Sequence, residues 1–322
     1  MGDATAPRVS VIVAAYNASA YIARAAASLQ AQTIDDWEML VADDASSDDT
    51  LAVVRGLQAS DARIRLLPAE TNGGPSAARN RAIAKARGEW VAVLDADDAW
   101  RPERLERLLA VARAEGCDVV ADNYIRFDDH AQVEAGAAFH DPRPVTVLDP
   151  VRFLDSEHPF GKVRFGLLKP IIRRSFLEAH GLAYPTEIRY AEDFLFFMRI
   201  LLEGGVGRLV SAPYYIYTLP QSPTSGRTSA GTRTAPKLSD RVWIANHLIA
   251  HYGAGAAPEV RAALERYRQG MADIHEGHLA HRLWSEGRRA DALRQIARRP
   301  RGAIAYAWNQ PVTKRLRARV GL

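Results

Sequence analysis

The chain has 322 residues and a net charge of +4 at pH 7, and its 48% hydrophobic and 25% charged residues are typical of a globular protein. Its single cysteine, Cys117, excludes an internal disulfide, and no window approaches the roughly 20 apolar residues of a membrane span. Because residues 1–8 also lack the apolar stretch of a signal peptide, we expect a cytoplasmic protein.

Segments with strand and helix patterns alternate through the first 122 residues. The predicted strands span residues 9–13, 37–42, 64–67, 90–94 and 118–121, and the predicted helices span residues 19–32, 47–58, 76–87 and 102–115. Short, regular alternation of this kind predicts an α/β fold with a mostly parallel central sheet and helices on both faces.

The alternation fades beyond residue 122. Strands are predicted at residues 124–127, 206–210 and 214–218, and helices at residues 151–157, 174–180 and 192–203. Residues 221–234 are rich in Ser, Thr, Gly and Pro, a composition that indicates a loop. From residue 237 onward the pattern is helical, which predicts a helical C-terminal extension.

Polar side chains follow three of the predicted strands at the points where they end. They are Tyr16 and Asn17, Asp43 and Asp44, and the group Asp95–Asp98. In open α/β sheets ligands bind beyond the carboxyl ends of the strands, so these residues indicate one shared site. Crowded carboxylates suit a hard divalent cation that also binds substrate phosphates. The alternative is that the same aspartates cap the helices that follow.

Two common nucleotide-binding folds do not fit. The first strand is followed by Ala14–Asn17, without the Gly-x-Gly-x-x-Gly turn of dinucleotide-binding enzymes. The chain also lacks the Gly-x-x-x-x-Gly-Lys-Ser/Thr sequence of P-loop enzymes. The remaining interpretation is a sheet that holds a nucleotide and a metal ion at its strand ends.

Four motifs in order resemble those of family 2 inverting glycosyltransferases, which have the GT-A fold. The motifs are the segments 9–17, 41–50, 72–80 and 88–98, and within the family the chain is most similar to bacterial exopolysaccharide enzymes of the succinoglycan type. The resemblance covers about residues 8–220. One departure is that Ala14 and Ala15 stand where many members have a proline before Tyr-Asn.

The resemblance implies a UDP-sugar donor. Tyr16 would flank the uracil ring, a role that its planar side chain suits. Asp44 would accept a hydrogen bond from the uracil ring nitrogen, with Asp43 beside it, and Ala14 would contribute backbone groups. Arg79 would contact the nucleotide or its diphosphate, because a guanidinium suits phosphate oxygens.

The resemblance also implies a divalent cation, Mn²⁺ or Mg²⁺. Asp95 and Asp97 would contact the ribose and organise the metal, and Asp97 or Asp98 would bind it. Such a cation bridges the two phosphates and stabilises the charge on the departing UDP.

On the acceptor side the resemblance identifies Asp193 as the catalytic base, with Glu192 as a further candidate. An inverting transfer needs a base that removes the proton of the attacking hydroxyl. Lys169 is expected near the acceptor, and Arg227 in the loop after residue 220 is a candidate diphosphate contact. Helix capping is the alternative role for Asp193.

The C-terminal part of the chain is strongly basic. Residues 261–322 contain fourteen Lys or Arg against five Asp or Glu, whereas the preceding 260 residues contain twenty-eight against thirty-three. Apolar and aromatic residues are interleaved with the charges from residue 288 onward, a pattern that suits peripheral contact with an anionic membrane. The alternative is a solvated helical face, and the chain shows no nucleic-acid recognition motif.

Taken with the resemblance, these features predict an enzyme with a catalytic domain at residues 1–235 and a basic helical extension at residues 236–322. The nucleotide-sugar half would span about residues 8–122 and the acceptor half about 123–235. We expect transfer of a hexose from a UDP-sugar to a polyprenyl-diphosphate-linked saccharide in exopolysaccharide biosynthesis, on the cytoplasmic face of the membrane. The alternatives are a sugar-nucleotide nucleotidyltransferase and a non-catalytic nucleotide-sugar-binding protein of the same fold.

Overall fold

The structure, a computed structural model, describes residues 6–159, 163–219 and 237–308 of the chain. It divides into two compact units. Unit 1 comprises Met1–Asp149 and Leu167–Thr234, and unit 2 comprises Pro150–Gly166 and Ala235–Leu322. The sequence-based boundary after residue 235 places residues 150–166 in the first part, whereas in the fold this segment belongs to the second unit.

Unit 1 is built around one sheet, which has ten strands among the described residues. The strands are β1 (Val9–Ala15), β2 (Trp37–Asp43), β3 (Ile64–Pro68), β4 (Trp90–Val93), β5 (Ala99–Trp100), β6 (Val119–Asp128), β7 (Val133–Ala137), β8 (Val145–Val147), β9 (Ile171–Arg173) and β10 (Gly207–Thr218). Their order is β3-β2-β1-β4-β9-β6-β10-β5, with β7 beside β6 and β8 beside β10. The pairs among β3, β2, β1 and β4 are parallel.

Helices of unit 1 connect these strands. They are α1 (Ile22–Gln30), α2 (Thr50–Ser60), α3 (Pro75–Ile83), α4 (Arg104–Glu115), α6 (Arg174–Ala179) and α7 (Glu192–Leu202), where α5 (Pro150–Ser156) belongs to unit 2. The strands β2 and β4 are buried along their whole length. A sheet that is covered on both faces explains why these strands are mostly apolar rather than alternating, with Glu38 as the buried exception inside β2.

Three details of the sheet differ from the sequence prediction. β6 is a single strand of ten residues, where the sequence suggested a break after residue 121, and β10 is a single strand of twelve residues with a register shift at Pro213. The third difference is the strand β9, which the sequence did not predict, and β6 therefore does not pair with β4. The short strand β9 lies between them and is antiparallel to both.

Unit 2 is helical in its described part. It contains α5 together with α8 (Leu238–Tyr252), α9 (Pro258–Ser285), α10 (Arg289–Arg298) and α11 (Pro300–Trp308). The segment before residue 167 joins this unit through Glu157, which is fully buried and pairs with Arg241 of α8 at 2.7 Å. None of the described helices has the length and hydropathy that a membrane span requires.

The close contact of α9 with α11 in unit 2 depends on glycine. A Cβ atom on Gly277 would lie 2.0 Å from the carbonyl oxygen of Gly302 and 2.6 Å from Cβ of Tyr306. The two helices therefore approach at a distance that only residues without a side chain permit.

Candidate active site

The loops that follow β1 and β2 are joined by hydrogen bonds. Asn17, whose backbone lies in the left-handed region at φ 48°, accepts a hydrogen bond on Oδ1 from the backbone N–H of Ser47 at 2.7 Å. Its own N–H donates to Ser46 Oγ at 2.9 Å. The Asp43 carboxylate accepts hydrogen bonds from the backbone and hydroxyl of Ser46. Asn17 and Asp43 therefore hold the loop between β2 and α2 in place.

Asp44 holds the glycine turn that precedes α3. Its carboxylate accepts hydrogen bonds from the N–H groups of Gly73 at 3.1 Å and Gly74 at 2.7 Å. Gly74 has a φ of 86°, which a side chain would disfavour. Nearby in the chain, the ring of Tyr16 is exposed and Ala14 is partly exposed in β1.

A cluster of five charged side chains lies where β4 and α7 meet. Lys169 Nζ is 2.8 Å from Asp95 Oδ2 and also forms an ion pair with Asp193 Oδ2. Arg79 Nη2 donates to Asp95 Oδ1 at 2.8 Å, and Arg79 Nη1 lies 3.2 Å from both Glu192 Oε1 and Asp193 Oδ1. Two positively charged side chains thus pair with three carboxyl groups, so the cluster has one more acidic than basic side chain.

The pKa values of two carboxyl groups in the cluster shift in opposite directions. Burial opposes ionisation of Asp95, but Lys169 and Arg79 outweigh burial and hold its pKa below the usual range. For Glu192, burial and the neighbouring Asp193 raise the pKa. Burial also works against the ammonium of Lys169, but Asp193 and Asp95 raise its pKa well above normal, so Lys169 stays charged.

The two carboxylate oxygens of Asp193 have different surroundings. Its Oδ1 atom is buried and accepts no hydrogen bond from any described residue, although Arg79 Nη1 is nearby. The residue sits in the first turn of α7, where the helix dipole favours an anion. Ala191 precedes this turn with a φ of 62°, an uncommon conformation for alanine that turns the chain into the helix.

The two aspartates at the end of the Asp95–Asp98 group differ in their surroundings. The Asp98 carboxylate is 2% exposed and accepts hydrogen bonds from the Tyr215 hydroxyl at 2.6 Å and the Thr218 N–H at 2.7 Å. Asp98 is therefore engaged with β10. Asp97 is less buried, and burial together with the charge of Asp95 raises the pKa of Asp97 to about 6.

The residues present fit a divalent cation at Asp97. Burial and the charge of Asp95 raise the pKa of Asp97 more than the nearby Lys169 and Arg24 lower it, and a bound cation would add positive charge at this carboxylate. Within the described part of the chain no group of three or more His, Cys, Asp or Glu side chains is arranged to hold a metal ion. Mg²⁺ commonly uses one or two carboxylates together with substrate phosphates.

The comparison with known proteins identifies the family. Residues 10–162 match the family described as glycosyl transferase family 2. The succinoglycan biosynthesis protein ExoU of Rhizobium meliloti (strain 1021) is 34% identical over 274 residues, which are 83% of this chain and 76% of that protein. The chain belongs to glycosyl transferase family 2. Its relative ExoO from the same strain is 36% identical over 222 residues, or 68% of this chain and 63% of ExoO.

Other relatives and solved structures agree. The Escherichia coli protein WfgD, a UDP-Glc:alpha-D-GlcNAc-diphosphoundecaprenol beta-1,3-glucosyltransferase by name, is 29% identical over 62% of this glycosyltransferase and 72% of WfgD. The structure of S. aureus TarS with UDP-GlcNAc has a TM-score of 0.63 at 24% identity, over 83% of this chain and 72% of that one.

The mannosyltransferase PcManGT from Pyrobaculum calidifontis, in complex with GDP-Man and Mn²⁺, has a TM-score of 0.52 at 20% identity, over 95% of this chain and 89% of that one. The likenesses show that this glycosyltransferase has the GT-A fold, which confirms the fold and the family that the motifs predicted.

The structure of the glycosyltransferase brings together residues that sequence analysis placed apart. Arg79, Asp95, Lys169, Glu192 and Asp193 are in direct contact, which the motif spacing could not show. Arg227 lies outside the described residues.

Four residues of the site had no sequence signal. They are Arg24, Tyr184, Tyr215 and Thr218. Arg24 donates to Thr218 Oγ1 at 2.8 Å and to the carbonyl oxygen of Asp97, and the Arg79 guanidinium lies 5.1 Å from the Tyr184 ring. Their side chains are held by partners far along the chain, so that no local pattern marks them.

Proposed function

We propose that this glycosyltransferase moves a hexose from a UDP-sugar to a saccharide linked to polyprenyl diphosphate, with inversion at the anomeric carbon. The observation that carries the proposal is the placement of Asp193. Its carboxylate has one oxygen without a hydrogen bond from any described residue, and it shares Lys169 and Arg79 with Asp95 at the end of β4. A base on the acceptor side is thus coupled to the residues on the donor side.

In the reaction Asp193 takes the proton of the acceptor hydroxyl. The hydroxyl oxygen attacks the anomeric carbon from the face opposite UDP, and the bond between that carbon and the UDP oxygen breaks with its electron pair remaining on UDP. Lys169 and Arg79 lie beside the Asp193 carboxylate as ion-pair partners and fix its position. Glu192, which contacts Arg79 at 3.2 Å, is the second acidic group facing the acceptor.

The donor nucleotide is held by the loops that follow β1 and β2. Tyr16 flanks the uracil with its exposed ring, and Ala14 contributes its backbone. The oxygens of Asp44 already hold two N–H groups, but each carboxylate oxygen can accept a second hydrogen bond, which leaves capacity for the uracil N–H. Asp43 keeps the neighbouring loop in shape, and Asp95 contacts the ribose.

Asp97 is the residue that would hold Mn²⁺ or Mg²⁺, with Asp98 supporting the loop from inside through β10. The ion, when bound, neutralises the charge that develops on the leaving diphosphate. Arg79 contacts three carboxylates, so we assign it to holding the acidic cluster as well as to a nucleotide contact.

The acceptor class and the location rest on the relatives. ExoU and ExoO are named for succinoglycan biosynthesis, and the name of WfgD specifies a diphosphoundecaprenol-linked acceptor. We propose that the present enzyme acts at the cytoplasmic face of the membrane in exopolysaccharide assembly. Its basic C-terminal region would contact anionic lipid there, and residues 309–322 of that region lie outside the described residues.

The proposal is tested with purified protein, Mn²⁺ or Mg²⁺, a panel of UDP-hexoses and acceptor extracted from membranes. Release of UDP identifies the donor, and NMR of the product shows whether an α-linked donor gives a β linkage. Asp193→Asn should lower kcat by about 10²–10⁴-fold, because the base is lost. Donor binding measured by calorimetry should change by less than about threefold, since Asp193 faces the acceptor.

Asp49→Asn is the matched control, because Asp49 is exposed at the start of α2. This control variant should transfer at the wild-type rate. Transfer at the wild-type rate by the Asp193→Asn variant, or a product with retained configuration, would contradict the assignment of the base.

A further inference from the structure

Arg104, the first residue of α4, forms a fully buried ion pair in unit 1. Its Nη2 atom donates to Asp122 Oδ1 at 2.7 Å and its Nε donates to Asp122 Oδ2 at 3.1 Å, and neither side chain is exposed. The guanidinium carbon also lies 4.4 Å from the ring centroid of Trp100 and 5.1 Å from that of Tyr215. The arginine is thus enclosed by one carboxylate and two aromatic rings.

The same guanidinium reaches the backbone of the active site. Its Nη2 atom donates a second hydrogen bond to the carbonyl oxygen of Lys169, the residue whose ammonium lies between Asp95 and Asp193. Its ring contact, Tyr215, donates its hydroxyl to Asp98 at 2.6 Å and accepts a hydrogen bond from the Asp95 N–H at 3.2 Å.

Arg104 therefore touches the two residues that stand directly behind the acidic groups of the site. Lys169 holds the carboxylates through its ammonium, and Tyr215 holds the loop after β4 through its hydroxyl.

Stability alone does not account for this arrangement. Replacing a buried ion pair by apolar residues of similar volume is often neutral or stabilising, since both charges lose their hydration on burial. Arg104 also keeps its Nη1 atom buried with no hydrogen-bond partner among the described residues, which is unfavourable. The planar guanidinium of Arg104 contacts the Asp122 carboxylate and the Lys169 carbonyl oxygen at the same time. A lysine ammonium in its place would not reproduce this geometry.

We propose that Arg104, supported by Asp122, is a positioning residue for sugar transfer. It fixes the backbone of Lys169 and the ring of Tyr215, and through them the ammonium between Asp95 and Asp193. The inference rests on the proposed function, in which Asp193 is the base and Asp95 belongs to the donor side. Arg104 binds neither substrate and acts only through Lys169 and Tyr215.

The test uses Arg104→Lys in the full chain, because this change keeps the charge opposite Asp122 and removes the planar guanidinium. With the donor and acceptor that the wild-type enzyme uses, kcat should fall by about 10- to 100-fold, since displacements near 1 Å at a site have effects of this size. The KM for the donor should stay within about threefold, because the loops that hold the nucleotide are not altered.

A second measurement does not depend on activity. Lys169 is 4% exposed, so acetic anhydride should label it slowly in the wild-type protein. In Arg104→Lys the labelling of Lys169, followed by peptide mass spectrometry, should be at least about fivefold faster because its backbone has lost an anchor. If the wild-type enzyme transfers no sugar from any donor, the proposed function fails while this labelling comparison still tests the anchor.

The control is Leu108→Ala, a substitution of a fully buried apolar residue in the same helix. It lowers stability as a core truncation does but should keep kcat within about twofold and the labelling of Lys169 as slow as in the wild-type protein. Folded Arg104→Lys protein with wild-type kcat and wild-type labelling would overturn the proposal. A loss of kcat that Leu108→Ala reproduces would overturn it as well.

Discussion

Replacing Lys169 by methionine removes the cation that the donor side and the acceptor side of the site share. Asp95, Glu192 and Asp193 would then have Arg79 as their neighbouring cation, so the excess negative charge of the cluster rises from one to two. Methionine has a similar length and flexibility, and the substitution therefore leaves the volume of the buried site nearly unchanged. The expected result is a large loss of stability with little change in packing.

The size of the loss follows from the geometry. At the 2.8 Å that separates Lys169 Nζ from Asp95 Oδ2, and with an effective dielectric constant of about 20, the attraction is about 6 kcal/mol. Dehydration of the buried ammonium offsets part of this attraction. Since removing one partner of a buried pair generally costs about 3–5 kcal/mol, we expect the free energy of unfolding at pH 7 to fall by about 3–5 kcal/mol.

The loss should depend on pH in a definite direction. Lys169, with Arg79, lowers the pKa of Asp95 below its usual value, although burial opposes this. A carboxyl group of this kind stabilises the fold above about pH 4, where the unfolded chain would be ionised, and this contribution disappears as the pH falls further. The difference between wild-type protein and Lys169→Met should therefore be largest near pH 7 and should shrink below about pH 4.

Urea unfolding at pH 7, 5 and 3.5 measures this effect. Tryptophan fluorescence is a suitable signal because Trp37, Trp90 and Trp100 are buried in unit 1. Lys85→Met, which changes an exposed lysine next to α3, is the control and should unfold like the wild-type protein. A loss below about 1 kcal/mol at pH 7, or a loss that is the same at all three pH values, would refute the reasoning.

Two further predictions concern Asp97 and Gly277. Burial and Asp95 raise the pKa of Asp97 to about 6. Asp97→Asn should therefore raise the free energy of unfolding of the metal-free protein at pH 7 by up to about 3 kcal/mol, and this gain should vanish below about pH 4. Equal free energies of unfolding for the variant and the wild-type protein at pH 7 would contradict the prediction. In unit 2, Gly277→Ala should lower the thermal stability by about 1–3 kcal/mol because its Cβ would overlap the Gly302 carbonyl oxygen, whereas Gly255→Ala, where nothing lies within 4 Å, should not.

Local patterns were sufficient for the first half of the fold. Buried parallel strands are mostly apolar and their exits carry polar residues, so β1, β2 and β4 and the positions of Asp44, Asp95 and Asp97 follow from the sequence. The break expected after residue 121 is instructive. Asp122 and Asn123 look like the end of a strand, but Arg104 pairs with the first and two carbonyl oxygens accept hydrogen bonds from the second, so both remain inside β6.

The sequence alone could not predict which residues far apart in the chain contact each other. The three-residue strand β9 has no pattern of its own, and its position between β4 and β6 depends on the rest of the sheet. From the resemblance, Arg79 is predicted to contact the nucleotide or its diphosphate. Its carboxylate partners in α7 follow more than one hundred residues later, and no helical or strand spacing connects them. A charge cluster assembled from distant segments in this way can be recognised only in the three-dimensional structure.

The interleaving of the two units has a consequence for biosynthesis. The helix α5, with buried Phe153 and Leu154, and the buried carboxylate of Glu157 leave the ribosome before the helices of their own unit. The arginine that pairs with Glu157 is Arg241, about 80 residues later, and at about 5–20 residues per second its synthesis takes about 4–16 s more. During that interval Phe153 and Leu154 of α5 lack α9, the helix on which α5 packs in the folded unit, so we expect this segment to be exposed on the nascent chain.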